Sequence, residues 1–175
     1  MVFRQTDPRF PFLWETADQP PMRWHGEGEG PVHYFADAPD GAWAELLRRE
    51  EITAPDDVAT IRRALWPVEL PEIPSARPDL PFEILAGGPA TYEACRAEPR
   101  RLREGRVNGF TAPSAALLNG SARGWRVDRG LQPALARDGK VIVLFGRRPD
   151  LIGWPPTIEG RPSDDLVSRA RHFGR

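Results

Sequence analysis

Cysteine and lysine are nearly missing from this chain. Cys95 is the one cysteine among 175 residues, which excludes an intrachain disulfide framework and a thiolate metal cluster. His25, His33 and His172 fit none of the usual zinc-ligand spacings, so no metal is expected. Lys140 is the one lysine, and the remaining basic side chains are 23 arginines. Arginine engages carboxylate and phosphate through a planar fork, where lysine offers a point charge. The net charge is −1, so the cationic surplus of a protein that binds nucleic acid by neutralising phosphates is absent. Long hydrophobic runs are missing too: no stretch of about 18 or more apolar residues occurs, which excludes a membrane-spanning helix. Arg4, Asp7 and Arg9 interrupt the first residues before an apolar segment long enough for a signal peptide. Together these absences lead us to expect a cytoplasmic protein.

What is present is a foldable chain rich in loops. Leu, Ile, Val and Phe make up about 22% of it, just above the roughly 20% below which chains tend to stay disordered. Twenty prolines and 16 glycines punctuate short segments, and the length suits one domain. Extended structure is expected around Val2–Arg4, and a strand over 31–36. A helix is expected over about 39–51, with Pro39 in its first turn, Asp40 near its start and Arg48–Arg49 near its end. A second helix is predicted over about 55–65 from Val58, Ile61 and Leu65. The proline-rich stretch 67–89 reads as short strands or extended connections at Val68–Leu70 and Phe82–Leu85. Further on come a helix over about 89–104 kinked at Pro99, strands at 107–112 and 141–145, and a last helix over 163–173 capped by Ser163. Strands and helices do not alternate regularly, so the class is α+β rather than a doubly wound parallel sheet.

Taken one at a time, the candidate functional residues each have a plain structural explanation. Glu45 flanks the apolar stripe of Ala42, Trp43, Leu46 and Leu47, and an i,i+4 pair with Arg49 would account for it. Arg23 sits between Pro20-Pro21-Met22 and Trp24, where an aromatic ring could pack on its guanidinium. Ser114 follows Pro113 at the end of a strand-like run. The mixed-charge stretch Arg96–Arg106 reads as a solvated helix face. Gly26-Glu27-Gly28-Glu29-Gly30 is a turn rather than a phosphate cradle, because no helix follows and two glutamates repel an anion. No nucleophile elbow surrounds any serine.

Their order along the chain is more telling. Phe3-Arg4, Arg23-Trp24-His25, Val32-His33-Tyr34-Phe35-Ala36, Gly41-Ala42-Trp43-Ala44-Glu45, Asn108 to Ala115 and Val141–Phe145 follow one another. Arg23 to Tyr34 and Tyr34 to Glu45 are each eleven residues. This set resembles the RES-domain family, across a core of about 3–146 with a C-terminal extension of about 147–175 in a single domain. The family often has Asn after the Arg-Trp pair, where this chain has His25.

The resemblance implies a compact α+β fold like that of ADP-ribosyltransferases, with two small mixed sheets flanked by helices around an NAD cleft. It implies an NAD-degrading toxin that cleaves the nicotinamide–ribose bond, with inorganic phosphate or water as acceptor. The alternatives are an ADP-ribosyltransferase acting on a cytoplasmic protein and a non-catalytic binding module. Glu45, Arg23 and Ser114 are the catalytic candidates, and Arg4, Arg23, Tyr34 and Ser114 the NAD-binding ones. The chemistry is coherent: a carboxylate stabilises oxocarbenium-like charge, arginine forks bind the pyrophosphate, and a tyrosine ring offers a face to nicotinamide. Expected partners are NAD and a cognate antitoxin protein, with a homodimer compatible with both, and with no direct nucleic-acid or membrane contact. The segment with Trp154, Pro155-Pro156 and the tail Arg169–Arg175 is expected to pack on the surface or to form part of the antitoxin interface.

Overall fold

The computed structural model describes residues 1–155 and 157–174; Pro156 and Arg175 lie outside the described residues. In chain order the elements are β1 (Val2–Thr6), β2 (Val32–Ala36), α1 (Pro39–Arg49), α2 (Pro55–Val58), β3 (Arg63–Glu69), α3 (Phe82–Ala86), α4 (Tyr92–Glu104) and β4 (Gly109–Pro113). β5 (Trp125–Val127), β6 (Leu131–Pro133), β7 (Lys140–Phe145), β8 (Ile152–Gly153) and β9 (Thr157–Gly160) follow, and 3-10 turns occupy Pro89–Thr91 and Asp164–Arg169.

The class is α+β, with the strands grouped differently from two small mixed sheets. Seven strands form one sheet in the order β4-β7-β2-β1-β3-β8, with β9 also on β3, while β5 and β6 form a separate ribbon. Every pairing is antiparallel. The N-terminal strand β1 inserts between β2 and β3 and joins two groups of strands into one sheet. Such an order is a long-range property that local patterning does not carry. The junction is narrow, since β1 meets β2 only at Phe3↔Ala36. By contrast β1 follows β3 from Val2↔Val68 to Thr6↔Ala64, and β2 follows β7 from Val32↔Phe145 to Ala36↔Val141. Away from that single pair, β1 and β2 part.

Helix α1 lies across this opening. Trp43, Leu46 and Leu47 point into a core with Ile61, Leu117 and Leu166. Gly41, Ala42, Glu45 and Arg48 lie on the opposite flank, as the i, i+3 and i+4 spacing of a helix requires. A Cβ at Gly41 would stand 2.9 Å from the Ala36 side chain, so only glycine lets α1 approach β2 this closely. β7 is apolar from Val141 onward because both of its faces are covered there. Val141, Val143 and Phe145 pack with Trp24 and Phe110, while Ile142 and Leu144 pack with Val2, Phe35 and Val68.

Three expected elements differ. The helix foreseen over 55–65 ends at Val58, and 63–69 is strand. β1 needs hydrogen-bond partners on its second edge, and β3 supplies them. Pro67 lies inside β3 opposite Phe3, with its carbonyl accepting the Trp154 N–H. Phe82–Ala86 is a short helix rather than a strand. The final helix is a 3-10 turn without a side-chain cap from Ser163; Arg169 holds it instead, pairing with Asp40 at 2.6 Å and donating to the Ser121 carbonyl. In the β5–β6 ribbon, Trp125, Val127 and Leu131 stand exposed.

Leu47 is fully buried and Leu135 almost fully exposed. Leu47→Ala is expected to lower the unfolding free energy by about 2–5 kcal/mol, and Leu135→Ala by less than about 0.5 kcal/mol, as measured by urea denaturation.

Candidate active site

The parting of β1 and β2 leaves a cavity of about 640 Å³, within the range of small-molecule and cofactor sites. Arg4 of β1, Arg23 of the loop between β1 and β2, Tyr34 of β2, Glu45 of α1 and Ser114 beyond β4 all line it. Thus the five residues singled out from the sequence surround one space. Glu45 is the one carboxylate among the described lining residues, whereas Arg4, Arg23, Arg48, Arg49 and Lys140 are basic.

Arg4 lies above the Phe35 ring, 5.9 Å from its centroid, and its buried Nη1 has no hydrogen-bond partner among the described residues. Burial lowers its pKa to about 10, with the nearby Tyr34 opposing the shift. A guanidinium N–H is a charged donor suited to an anionic acceptor.

Arg23 is more committed. Its Nη2 donates to the Gly87 carbonyl at 2.7 Å and its Nη1 to the Ile84 carbonyl at 3.4 Å. The ring that covers its guanidinium is Tyr92, 4.7 Å away, and not the adjacent Trp24, which packs on Phe110. Arg23 therefore offers the cavity its charge and its remaining N–H groups rather than a free fork.

The Tyr34 hydroxyl is anchored. It accepts the Trp24 N–H at 3.2 Å and lies 2.7 Å from His25 Nδ1, which leaves the ring to line the cavity. Burial pushes this phenol well above its ordinary pKa and the His25 imidazole below its own, so both are neutral near pH 7. The Ser114 hydroxyl accepts the backbone N–H groups of Leu117 at 3.1 Å and Ala116 at 3.3 Å. Its lone pairs are thereby occupied, and its own proton is left to donate.

Glu45 makes no ion pair among the described residues, because Arg49 turns instead to Glu50 at 2.8 Å. Burial raises its pKa, against the opposing charges of Arg23, Arg48 and Arg49 and the Ala116 N–H. Arg48, Tyr92 and Phe173 are lining residues that the sequence reading passed over. For Arg48 a signal existed: it stands three positions after Glu45, on the same helical face. Among the described residues no cluster of His, Cys, Asp and Glu could hold a metal ion, and no helix is long and apolar enough to cross a membrane.

The RES domain model matches residues 3–162. The chain belongs to the RES domain family. No curated protein matches this RES domain. Among solved structures, it is similar to a chain of the M. tuberculosis MbcT–MbcA toxin–antitoxin complex, with 15% identity and a TM-score of 0.62 over 95% of this chain and 86% of the other. At that identity the likeness establishes the fold.

A carboxyl whose pKa is raised by folding favours the folded state at low pH, and that contribution is lost as pH rises through the folded pKa. Glu45→Gln is therefore expected to raise the melting temperature at pH 7, with the gain shrinking as the pH falls through the raised pKa of Glu45 and vanishing once the ordinary carboxylate value is reached. Melting curves of both proteins from pH 4 to 8 check this.

Proposed function

We propose that this RES domain consumes NAD by breaking the nicotinamide–ribose bond, and that it is the toxin of a toxin–antitoxin pair. The observation that carries the reading is a cation-rich cavity holding one carboxylate, Glu45, which has no ion pair among the described residues. A dinucleotide is anionic at its pyrophosphate and develops positive charge at the ribose as nicotinamide departs. The distribution of charge in the cavity complements that pattern.

In this mechanism Arg4 takes the pyrophosphate, with Arg23 adding its charge, and the Tyr34 ring lies against nicotinamide. The Ser114 hydroxyl donates to the carboxamide or a ribose oxygen. Nicotinamide leaves with the bonding pair as a neutral ring, and Glu45 stabilises the oxocarbenium-like ribose. An acceptor then attacks the anomeric carbon. Lys140 remains on the cavity wall after the pyrophosphate is served, which favours an anionic acceptor, inorganic phosphate, over water. The product is then ADP-ribose carrying a 1″-phosphate; water would give ADP-ribose and a proton. Membership of the RES family and the fold shared with a chain of a toxin–antitoxin complex support the toxin role, with a cognate antitoxin as partner.

The test is purified protein with NAD, with and without inorganic phosphate, products followed by 31P and 1H NMR. Release of nicotinamide with ADP-ribose 1″-phosphate is expected. A labelled protein band from lysate and labelled NAD would favour transfer to a protein instead, and no turnover in any condition would overturn the enzyme reading. Glu45→Gln is expected to lower the rate by about 10²–10³-fold, and a variant retaining a tenth of the activity would remove Glu45 from this role. Arg4→Ala is expected to weaken NAD binding by at least about tenfold, since hydrogen bonds to charged groups are worth roughly 1.5–3 kcal/mol; isothermal titration with the slow Glu45→Gln protein as background measures it.

A further inference from the structure

Arg48 is 4% exposed and forms no ion pair among the described residues. Its donors go to backbone carbonyls from two separate segments. Nη1 donates to Ala115, and Nη2 donates to Ala86 and Gly87, each at 2.7 Å. The Gly87 carbonyl is shared, because Arg23 Nη2 donates to it as well. Phe173 covers the Arg48 guanidinium, with its ring centroid 4.6 Å away. Burying a guanidinium without a counter-ion is expensive, and a lysine could not reach three carbonyls in this forked arrangement. A residue needed only to fill space between α1 and its neighbours would be apolar.

The turn that accepts both arginines is itself constrained. A Cβ at Gly87 would stand 2.4 Å from Thr91 Cγ2 and 2.8 Å from the Glu83 carbonyl oxygen, so this position takes only glycine. The carbonyl at Gly87 is thereby fixed, and with it the two guanidinium groups that point at it.

We propose that Arg48 is a positioning residue: it clamps α1, the Ala86–Gly87 turn and the Ser114–Ala116 segment together, so that Glu45 and Arg23 face one point of the cavity with a fixed positive charge beside the carboxylate. The proposal rests on the reading of Glu45 as the group that stabilises charge on the substrate. The groups whose charge or dipole acts on Glu45 are Arg23 from the loop before β2, Arg48 and Arg49 from its own helix and the Ala116 N–H after β4, with Tyr34 of β2 coupled to it as well. Arg4, His25, Tyr92 and Lys140 line the same cavity. Removing the Arg48 charge takes away one of three cations that hold the Glu45 carboxyl down against burial.

Arg48→Gln and Arg48→Lys test the idea with two readouts. The Glu45 carboxyl is titrated by 13C NMR in side-chain-labelled protein, its signal assigned by its loss in Glu45→Gln. In Arg48→Gln the midpoint is expected to move to higher pH, and in Arg48→Lys, which keeps the charge, to stay near the wild-type value. In the NAD assay both variants are expected to lower kcat by at least about tenfold, the lysine because it loses the fork, with KM changed by less than about threefold. An unmoved midpoint in Arg48→Gln, or full kcat in Arg48→Lys, would overturn the proposal. If Arg48→Gln does not fold, the kcat of folded Arg48→Lys decides. Were the wild-type protein inert toward NAD, the functional reading would fall while the titration still judged the coupling of Arg48 to Glu45.

Discussion

The single backbone pairing between Phe3 and Ala36 governs the arrangement of the site. Had β1 followed β2 along its whole length, as it follows β3, the sheet would be closed where the cavity now lies. One pair suffices to keep the two strand groups in a common sheet, and their divergence creates the space. Helix α1 roofs it because Gly41 allows contact with Ala36, at the same residue that makes the junction. Arg4 and Tyr34 thus come to the cavity from either side of the seam, and Glu45 from above it.

Electrostatics then divides the work inside the cavity. Groups with settled structural partners surround those without. The Tyr34 hydroxyl, the Ser114 lone pairs and most of Arg23 are engaged by backbone or by His25. Among the described residues Arg4 Nη1 and the Glu45 carboxylate are left without ionic partners, and on the proposed reading these are the atoms assigned to the substrate. Preorganisation of this kind lowers the ordering penalty of binding and, in the proposed reaction, would hold the field that the chemistry needs.

Much of this was legible in the sequence, for identifiable reasons. β2, α1, α4 and β7 are written in local pattern: β-branched and aromatic residues bounded by Gly and Asp, a Pro39 start, and the apolar run Val141–Phe145. The helix foreseen over 55–65 failed at Arg63–Leu65 because pairing with β1 overrides a helical spacing of apolar residues. The turn at Asp164–Arg169 escaped because Arg169 and Asp40, far apart in the chain, hold it. Site residues were read from order and spacing, which the family resemblance supplied. What spacing could not show is partnership: that Tyr92 rather than Trp24 covers Arg23, that Arg49 turns to Glu50 and leaves Glu45 alone, and that Arg48 reaches three carbonyls. Each depends on segments that only the folded chain brings together.

The scarcity of lysine has a practical corollary. Arginine side chains are inert to ordinary acylating agents at neutral pH, because the guanidinium keeps its proton. Lys140 is exposed on the rim of the cavity and carries the sole ε-amine of the sequence. An amine-directed label, whether a fluorophore, a methyl group or a cross-linker, thus has one side-chain address, on the wall that a second anion would approach.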